Sequence, residues 1–600
     1  MPAINKPRER IQRRLPMIVL GYSGFDRSVD FARREPGIRP GEERMVQGFD
    51  SACAILLDGE VIAAAAEERF SLEKHTNRFP RNAIRYCLKA ANVRLSQVER
   101  IVHGFNYEKY ASIFRGTDRY EQVLDPARQK DVWMRVFGEE FRPTTFGTVE
   151  HHLAHAASAY FPSGFETSLC LVCDGMGEVD AITLYEVNCG KFTKLDSLLI
   201  PNSIGILYGI ITSQLGFAFN ADEYKLMGLA PYGDPSRFRG LFERLIKPTD
   251  GGRYMIDWNI CGENAFHSPY YRKILEYLDR EVLPRPESSE THSQPYKDLA
   301  ASVQEALENS ITRLLCHWAT KTGQKNLCMT GGVALNCTLN GKLIKQKLFE
   351  DLFIQPAAGD DGTALGAALF ASHNLEPDKF HTQRRPMPFF GPEYSQTEMN
   401  AAAEKFVGKI IIDDLGTPER AASDAAEALS KDAIVAWFQG RMEYGPRALG
   451  NRSITANPMI SDIKERLNAI IKLREGFRPF APAVAAEHAS RYFEIGDGAS
   501  PFDYMLATTM VRPEWRERLP GITHVDGSAR VQTVSSENNR LFYLLIEEFA
   551  KRTGIHALVN TSFNIRGQPM IVSPEIAIET ILKVRIDRLY LGSLRIVRRN

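Results

Sequence analysis

Residues 168–187 read SLCLVCDGMGEVDAITLYEV. Two apolar runs of strand length flank a short acidic, glycine-bearing turn, which predicts a β-hairpin and places Asp174 directly after the first strand. The pattern occurs once before, in SACAILLDGEVIAAAAEE at 51–68, where the turn is Asp58-Gly59. Helical stretches such as AIRYCLKAA lie between the two copies.

Strand-hairpin units duplicated in one region predict an α/β fold of two lobes, of the actin and hexokinase type. Just upstream of the second copy, VEHHLAHAASAY at 149–160 is alanine-rich and predicts a helix. His151 and His155, four apart, would project side by side on it, as metal ligands do; a purely structural pair is the alternative reading. Asp174, and Asp360 with Asp361 in PAAGDDGTALGAA, place carboxylates at strand ends. Two imidazoles and two carboxylates suit iron, manganese or zinc better than calcium. In NLCMTGGVALN at 326–336 a strand runs into Gly331-Gly332 and a helix start. Backbone N–H groups there could meet a nucleotide's phosphate or ribose, which makes Gly331, Gly332 and Asn336 candidates for that contact.

A chain of 600 residues exceeds one core and predicts at least two domains. The 74 basic residues balance the 74 acidic ones, so no global field favours nucleic acid or an acidic membrane. No apolar run is long enough to cross a bilayer, and the basic start MPAINKPRERIQRR lacks a signal-peptide core, so a cytoplasmic protein is expected. The nine cysteines are scattered, with none beyond Cys337, which predicts reduced thiols. Cys170 and Cys173 would point to opposite faces of one strand and are expected to be buried, not redox-active. Between about 374 and 396 periodicity is lost and prolines gather, marking a boundary. The expected division is a basic tail at 1–16, a first domain at 17–385 and a second at 386–600.

The second domain carries QGRMEYGPRALGNRS from Gln439, IKLREGFRPFAP at 471–482, HVDGSARVQTV at 524–534 and LVNTSFNIRGQP at 558–569. Arg441, Arg447, Arg452, Lys472, Arg474, Arg478, Arg530 and Arg566 fall in what read as glycine- and proline-bearing loops. Asn451, Ser453, Ser562 and Asn564 stand among them as small polar ligand donors. Arginine forks and a lysine suit phosphoanhydride or acyl phosphate chemistry. A solvated basic surface, or salt bridges to Glu443 and Glu475, is the bland alternative. No Walker A pattern is present.

Together these stretches closely resemble the nodulation and antibiotic-tailoring family of O-carbamoyltransferases, which includes the tobramycin and cephalosporin carbamoyltransferases. The markers are EERFSLEKH at 67–75, HHLAHAASAYFPSGF, DGMGE, SIGILYGIITSQLGF and DEYKLMGLAPYG at 203–233, GGVALN, AAGDDGTALGAA, GPRALGNRS, REGFRPFAP and NTSFN. The resemblance implies a first domain like the metal-dependent ATPase-like protein of tRNA threonylcarbamoylation and a second, YrdC-like domain. The second would make carbamoyl adenylate from ATP, with its Mg2+, and carbamoyl phosphate; the first would pass the carbamoyl group to a hydroxyl of a small-molecule acceptor. His151, His155, Asp174 and Asp360 then match the family's metal ligands, which usually hold iron. Arg447, Lys472, Arg530 and Ser562 match its carbamoyl phosphate residues, and Lys472-Leu473-Arg474 and Ser562-Phe563-Asn564 its KxR and SxN signatures. The family also suggests a homodimer.

One departure stands out. Family members usually have a histidine before the aspartate of the first hairpin, where this chain has Phe49-Asp50. Asp50, His75 or His152 could serve as the base instead, or the acceptor could be acidic enough to need none. Residues 26–47 read as an insertion, either a flap over the acceptor pocket or a surface loop. Phe105, Tyr107, Tyr110, Phe114 and Tyr120 would either stack on an acceptor or belong to the core. The rival readings are tRNA modification, hydrogenase maturation and a non-catalytic ATP-binding scaffold. Zero net charge speaks against the first, missing acylphosphatase and zinc modules against the second, and the retained metal set and loop cations against the third.

Overall fold

The computed structural model describes residues 16–286, 293–377, 388–472, 476–496 and 500–599. The first sheet contains β1 (Ile18–Tyr22), β2 (Ala52–Leu57), β3 (Glu60–Ala66), β4 (Arg100–His103) and β5 (Phe146–Thr148), in the order β3-β2-β1-β4-β5. β1 to β3 are antiparallel, and β4 and β5 continue parallel to β1. Asp58 and Gly59 join β2 to β3 with φ of 47° and 80°, the left-handed pair that a two-residue hairpin loop needs. The second sheet begins with β6 (Thr167–Cys173), β7 (Asp180–Asn188) and β8 (Lys191–Leu199). A small pair, β9 (Ile246–Pro248) and β10 (Tyr254–Ile256), intervenes before β11 (Asn326–Thr330) and β12 (Asp351–Ile354) complete it. Its order, β12-β11-β6-β7-β8, repeats the first sheet's plan: three antiparallel strands, then two parallel to the first. That repetition is the two-lobed actin and hexokinase-like architecture expected from the duplicated hairpins.

Among the helices that frame the site, α1 (Arg81–Ala90) lies against β2 and β3, and α2 (His151–Ser163) follows later in the chain. After α3 (Gln294–Thr322) and α4 (Cys337–Gln346) comes α5 (Asp361–Leu375). α2 leaves the first sheet but packs on β6 and β11; α5 leaves the second but packs on β1, β2 and β4. The two helices thus cross between the lobes in contact with each other. Contact at backbone distance requires small residues: a Cβ on Gly366 of α5 would lie 1.7 Å from the Ala154 carbonyl oxygen of α2. β6 is buried on both faces, so Cys170 and Cys173 are both buried, and all nine cysteines are free.

The rest of the chain forms a third unit. Its strands are β13 (Ile410–Asp414), β14 (Val435–Phe438), β15 (Arg452–Ala456), β16 (Ala481–Ala485), β17 (Thr508–Met510), β18 (Ser528–Arg530), β19 (Gln532–Val534), β20 (Ala557–Ser562), β21 (Arg588–Leu591) and β22 (Leu594–Arg598). Eight of them make one mixed sheet, β13-β22-β21-β14-β15-β20-β16-β19, while β17 pairs with β18. α6 (Pro418–Ser430) and α7 (Arg540–Thr553) pack together over a separate core containing Trp437, Phe542 and Phe549. The expected tail lies almost wholly outside the described residues, as does the expected boundary at 385/386. Among the described residues no helix is long and apolar enough to cross a membrane.

Candidate active site

The N-terminal turn of α2 brings the two histidines to the ends of the second sheet's central strands. His151 Nε2 lies 3.1 Å from His155 Nε2, 3.3 Å from Asp174 Oδ2 and 3.4 Å from Asp360 Oδ1. His155 Nε2 is 3.7 Å from the same Asp360 oxygen and 3.9 Å from that of Asp174. Asp174 follows β6, and Asp360 immediately precedes α5. The structure thus brings together these four residues, which come from three separate segments.

The surroundings set the tautomers. His151 Nδ1 donates to the Gly104 carbonyl at 3.0 Å, which turns Nε2 toward Asp174 and Asp360. His155 Nδ1 pairs with Thr330 Oγ1, and the His151 ring stacks on Phe105 at 3.9 Å. Gly332 N donates to Asp174 Oδ1, fixing that carboxylate. Burial opposes charge on His151, but Asp360 and Asp174 outweigh it and hold the ring well above the ordinary histidine range. Burial beside that cation lowers His155. The two inward nitrogens and the two carboxylates, 3.1–3.9 Å apart, gather around one point that a cation would occupy, either the proton held by His151 or a metal in its place. That spacing also suits atoms each about 2.1 Å from one centre, so the donor set fits a first-row divalent ion.

A second group lies nearby. His75 Nδ1 is 2.8 Å from Asp50 Oδ1, and His75 N donates to Glu68 Oε2 at 2.8 Å. His75 Nε2 is shut away with no hydrogen-bond partner, whereas the Asp50 side chain is 31% exposed. Burial opposes the imidazolium, and Asp50 more than offsets it, so His75 is raised above its ordinary value. Next to them, removal from water and the charges of Asp50 and Glu68 push Asp361 up to about 7. Phe49, at the position of the family histidine, is buried beneath the Arg44 guanidinium. His152, the remaining candidate base, is buried with Nδ1 bonded to Thr183 Oγ1 and does not line the cavity.

One cavity of about 1560 Å³ joins these groups to the third unit. Asp50, His75, Asp174 and Asp360 line one part of it, and Arg447, Arg478, Arg530, Ser562, Asn564 and Arg566 another. The Nε atoms of Arg447 and Arg530 are buried without hydrogen-bond partners. Loss of hydration and the neighbouring Arg530 charge lower Arg447 to about 9; loss of hydration lowers Arg530 as well. Adjacent guanidiniums held against their own repulsion make a receptor for an anion. Ser562 Oγ bonds Asn564 Oδ1 at 2.7 Å on the same wall.

Several expectations need correction. Arg452 is not a loop cation: it lies on β15, fully buried, donating to the carbonyls of Gln439, Gly440, Asn451 and Pro392. Arg441 donates to the carbonyls of Ile62, Phe390 and Gly391, not to a ligand site. Asn451 does not line the cavity; its amide serves Arg441 O and Asn539. Glu443 forms no salt bridge with these arginines among the described residues, but accepts the backbone N–H groups of Leu449, Asn451 and Arg452. Gly331 is required where a Cβ would meet the Cys173 carbonyl oxygen at 2.3 Å, with φ +89°. Gly332 N is spent on Asp174, and Asn336, at the cavity edge, caps α4 and pairs with Gln304. None of the five aromatics between Phe105 and Tyr120 lines the cavity. The Lys472 side chain and Arg474 lie outside the described residues. The 26–47 segment does supply a wall through Arg44, Val46 and Gln47, and is tied to the second lobe by Glu42–Arg272. Glu178 of DGMGE had no assigned role, yet it accepts His151 N and Asn106 N and so orients the start of α2.

Comparison with known proteins agrees. A family model described as carbamoyltransferase N-terminus matches residues 46–369, and one described as carbamoyltransferase C-terminus matches 426–598. Nodulation protein NolNO of Sinorhizobium fredii is 41% identical over 558 residues, 92% of this chain and 79% of that protein. The uncharacterized protein sll1178 of Synechocystis is 35% identical over 90% of this chain and 94% of its own length. Among solved structures, full-length HypF in its phosphate- and nucleotide-bound form covers 61% of this chain and 56% of that chain at 14% identity, with a TM-score of 0.32, a likeness on which nothing rests. Matched in order along both halves, the chain belongs to the carbamoyltransferase family.

Proposed function

We propose that this carbamoyltransferase activates carbamoyl phosphate with ATP, through carbamoyl adenylate, and transfers the carbamoyl group to a hydroxyl of a small-molecule acceptor. The observation that carries this reading is the single cavity lined by both the Arg447–Arg530 pair and the Asp174–Asp360 cluster. Arg447 and Arg530 grip the phosphate of carbamoyl phosphate, whose hydrolysis releases inorganic phosphate and carbamate. A carbamate oxygen attacks the α-phosphorus of ATP, and pyrophosphate leaves. These steps need fixed positive charge and positioning more than a nucleophilic side chain. The 386–600 unit is the YrdC-like half in this scheme, and Ser562 and Asn564 position the nucleotide or carbamoyl group.

In the other half, the acceptor oxygen attacks the carbamoyl carbon, AMP leaves, and the hydroxyl proton passes to Asp50. His75, hydrogen-bonded behind Asp50, holds that carboxylate in place. A divalent ion held by His151, His155, Asp174 and Asp360, iron or another first-row metal, would supply Lewis-acid polarisation and offset charge on the leaving phosphate. Arg44, Val46, Gln47 and Phe49 bound the acceptor's end of the cavity.

Pyrophosphate release from ATP and carbamoyl phosphate without acceptor tests the first half. Release that depends on carbamoyl phosphate and is lost in Arg447→Ala and Arg530→Ala is expected. Release unaltered in both folded variants would refute the assignment of the anion site.

A further inference from the structure

Three side chains converge at one end of the third sheet, away from the cavity. His488 ends the short turn Ala486–His488 that follows β16, His556 directly precedes β20, and Glu547 lies on α7. One ligand atom from each lies within 4.8 Å of the others. His556 Nδ1 is 2.7 Å from Glu547 Oε1, and the two imidazole rings, tilted by 32° to each other, have centroids 3.6 Å apart. The His556 backbone is clamped on both sides: its N–H donates to Tyr492 Oη and its carbonyl accepts from Ala485 N, each at 3.1 Å. The point from which the ring projects is therefore fixed by the fold.

We propose that His488, Glu547 and His556 form a second divalent-cation site, of the zinc class, independent of the cavity. Two imidazole nitrogens and one carboxylate oxygen suit zinc, cobalt or nickel, and three protein ligands leave a fourth position for water. The His556 and Glu547 side chains are 19% and 24% exposed, so an ion exchanges with solvent without opening the core. Ligands each about 2.1 Å from a tetrahedral ion stand about 3.4 Å apart, so the His556–Glu547 contact widens by a small rotamer adjustment when the proton between them is replaced. The ion would tie α7 to the ends of β16 and β20, which are distant in sequence.

The full chain, stripped with a chelator, is titrated with Co2+ and with Zn2+ beside His488→Ala, Glu547→Gln and His556→Gln. Each variant is expected to bind one equivalent fewer than the parent whatever the cavity cluster binds, and to lose one component of the cobalt ligand-field absorption. Zinc is expected to raise the parent's thermal midpoint more than the variants'. Glu547→Gln keeps the side chain's shape and so guards against misfolding as the cause. Equal stoichiometry in the parent and in all three variants, each with native circular dichroism, overturns the site and leaves a plain histidine–glutamate hydrogen bond.

Discussion

Asp50 and His75 both adopt left-handed backbone conformations, with φ of 53° and 54°, which L-residues accept at a cost of order 1 kcal/mol or more each. Strain at two bonded residues beside one cavity marks a geometry held for chemistry. Asp50→Asn is expected to lower carbamoyl transfer by about 10²–10⁴-fold while leaving acceptor-free pyrophosphate release intact; equal losses in both assays would remove Asp50 from the transfer step. The pair also sets a pH dependence. Because Asp50 raises His75, the ring is protonated, and draws on the carboxylate's basicity, up to a pH above the ordinary histidine value of about 6.5. The transfer rate is therefore expected to fall as pH drops through that raised value. His75→Gln should abolish this limb, and a profile unchanged in the variant would disprove the coupling. Sequence identified Asp50 and His75 only as separate candidates, because their 25-residue separation hides a contact made by two turns of unusual φ.

At the scale of elements, α2 and the start of α5 bring three of the four candidate metal ligands together because the two helices cross where the lobes meet. Their alanines and glycines allow backbone contact, which holds His151 and Asp360 in register. Gly366→Val would drive a side chain into the Ala154 carbonyl, where neither backbone can yield cheaply. The expected loss is about 3 kcal/mol or more, with weakened metal uptake, read by denaturant unfolding and metal titration; wild-type stability would show that the helices can move apart. The hairpins and α2 were legible in sequence because strand alternation and the Asp-Gly turn are local signals. Arg452 was not. Its neighbours read as a polar loop, but its partners are carbonyls up to 60 residues away and the Phe438 ring 3.6 Å beneath it. No local pattern encodes such a site, so a buried structural cation resembled its ligand-binding neighbours.

For the whole molecule, the proposed scheme requires that its activating and transferring halves stay aligned if an adenylate is to pass between them without meeting bulk water. Arg441 is one polar tie, beside the apolar contacts by which Phe390, Tyr444, Phe477 and Leu506 join the core of the first lobes. From the third unit it reaches Ile62 O on β3 and Phe390 O, both at 2.8 Å, beside the Ala64 N–H that also bonds Phe390 O. Arg69 returns the contact from the first lobe, donating to Gly445 O at 2.8 Å, and Asn340 on α4 donates to Leu506 O at the same distance. Hydrogen bonds from a charged group contribute about 1.5–3 kcal/mol each, and removing the donor costs Ile62 O this bond while Phe390 O keeps the Ala64 N–H, so Arg441→Ala should cost about 2 kcal/mol at the junction. Neither unit's core is touched, since Arg441 packs in neither. Calorimetry is therefore expected to resolve the parent's coupled unfolding into two separated transitions in Arg441→Ala, while pyrophosphate release persists and the fraction of carbamoyl groups reaching acceptor falls. A single unshifted transition with full transfer would mean that Arg69, Asn340 and the remaining backbone contacts hold the halves together without it.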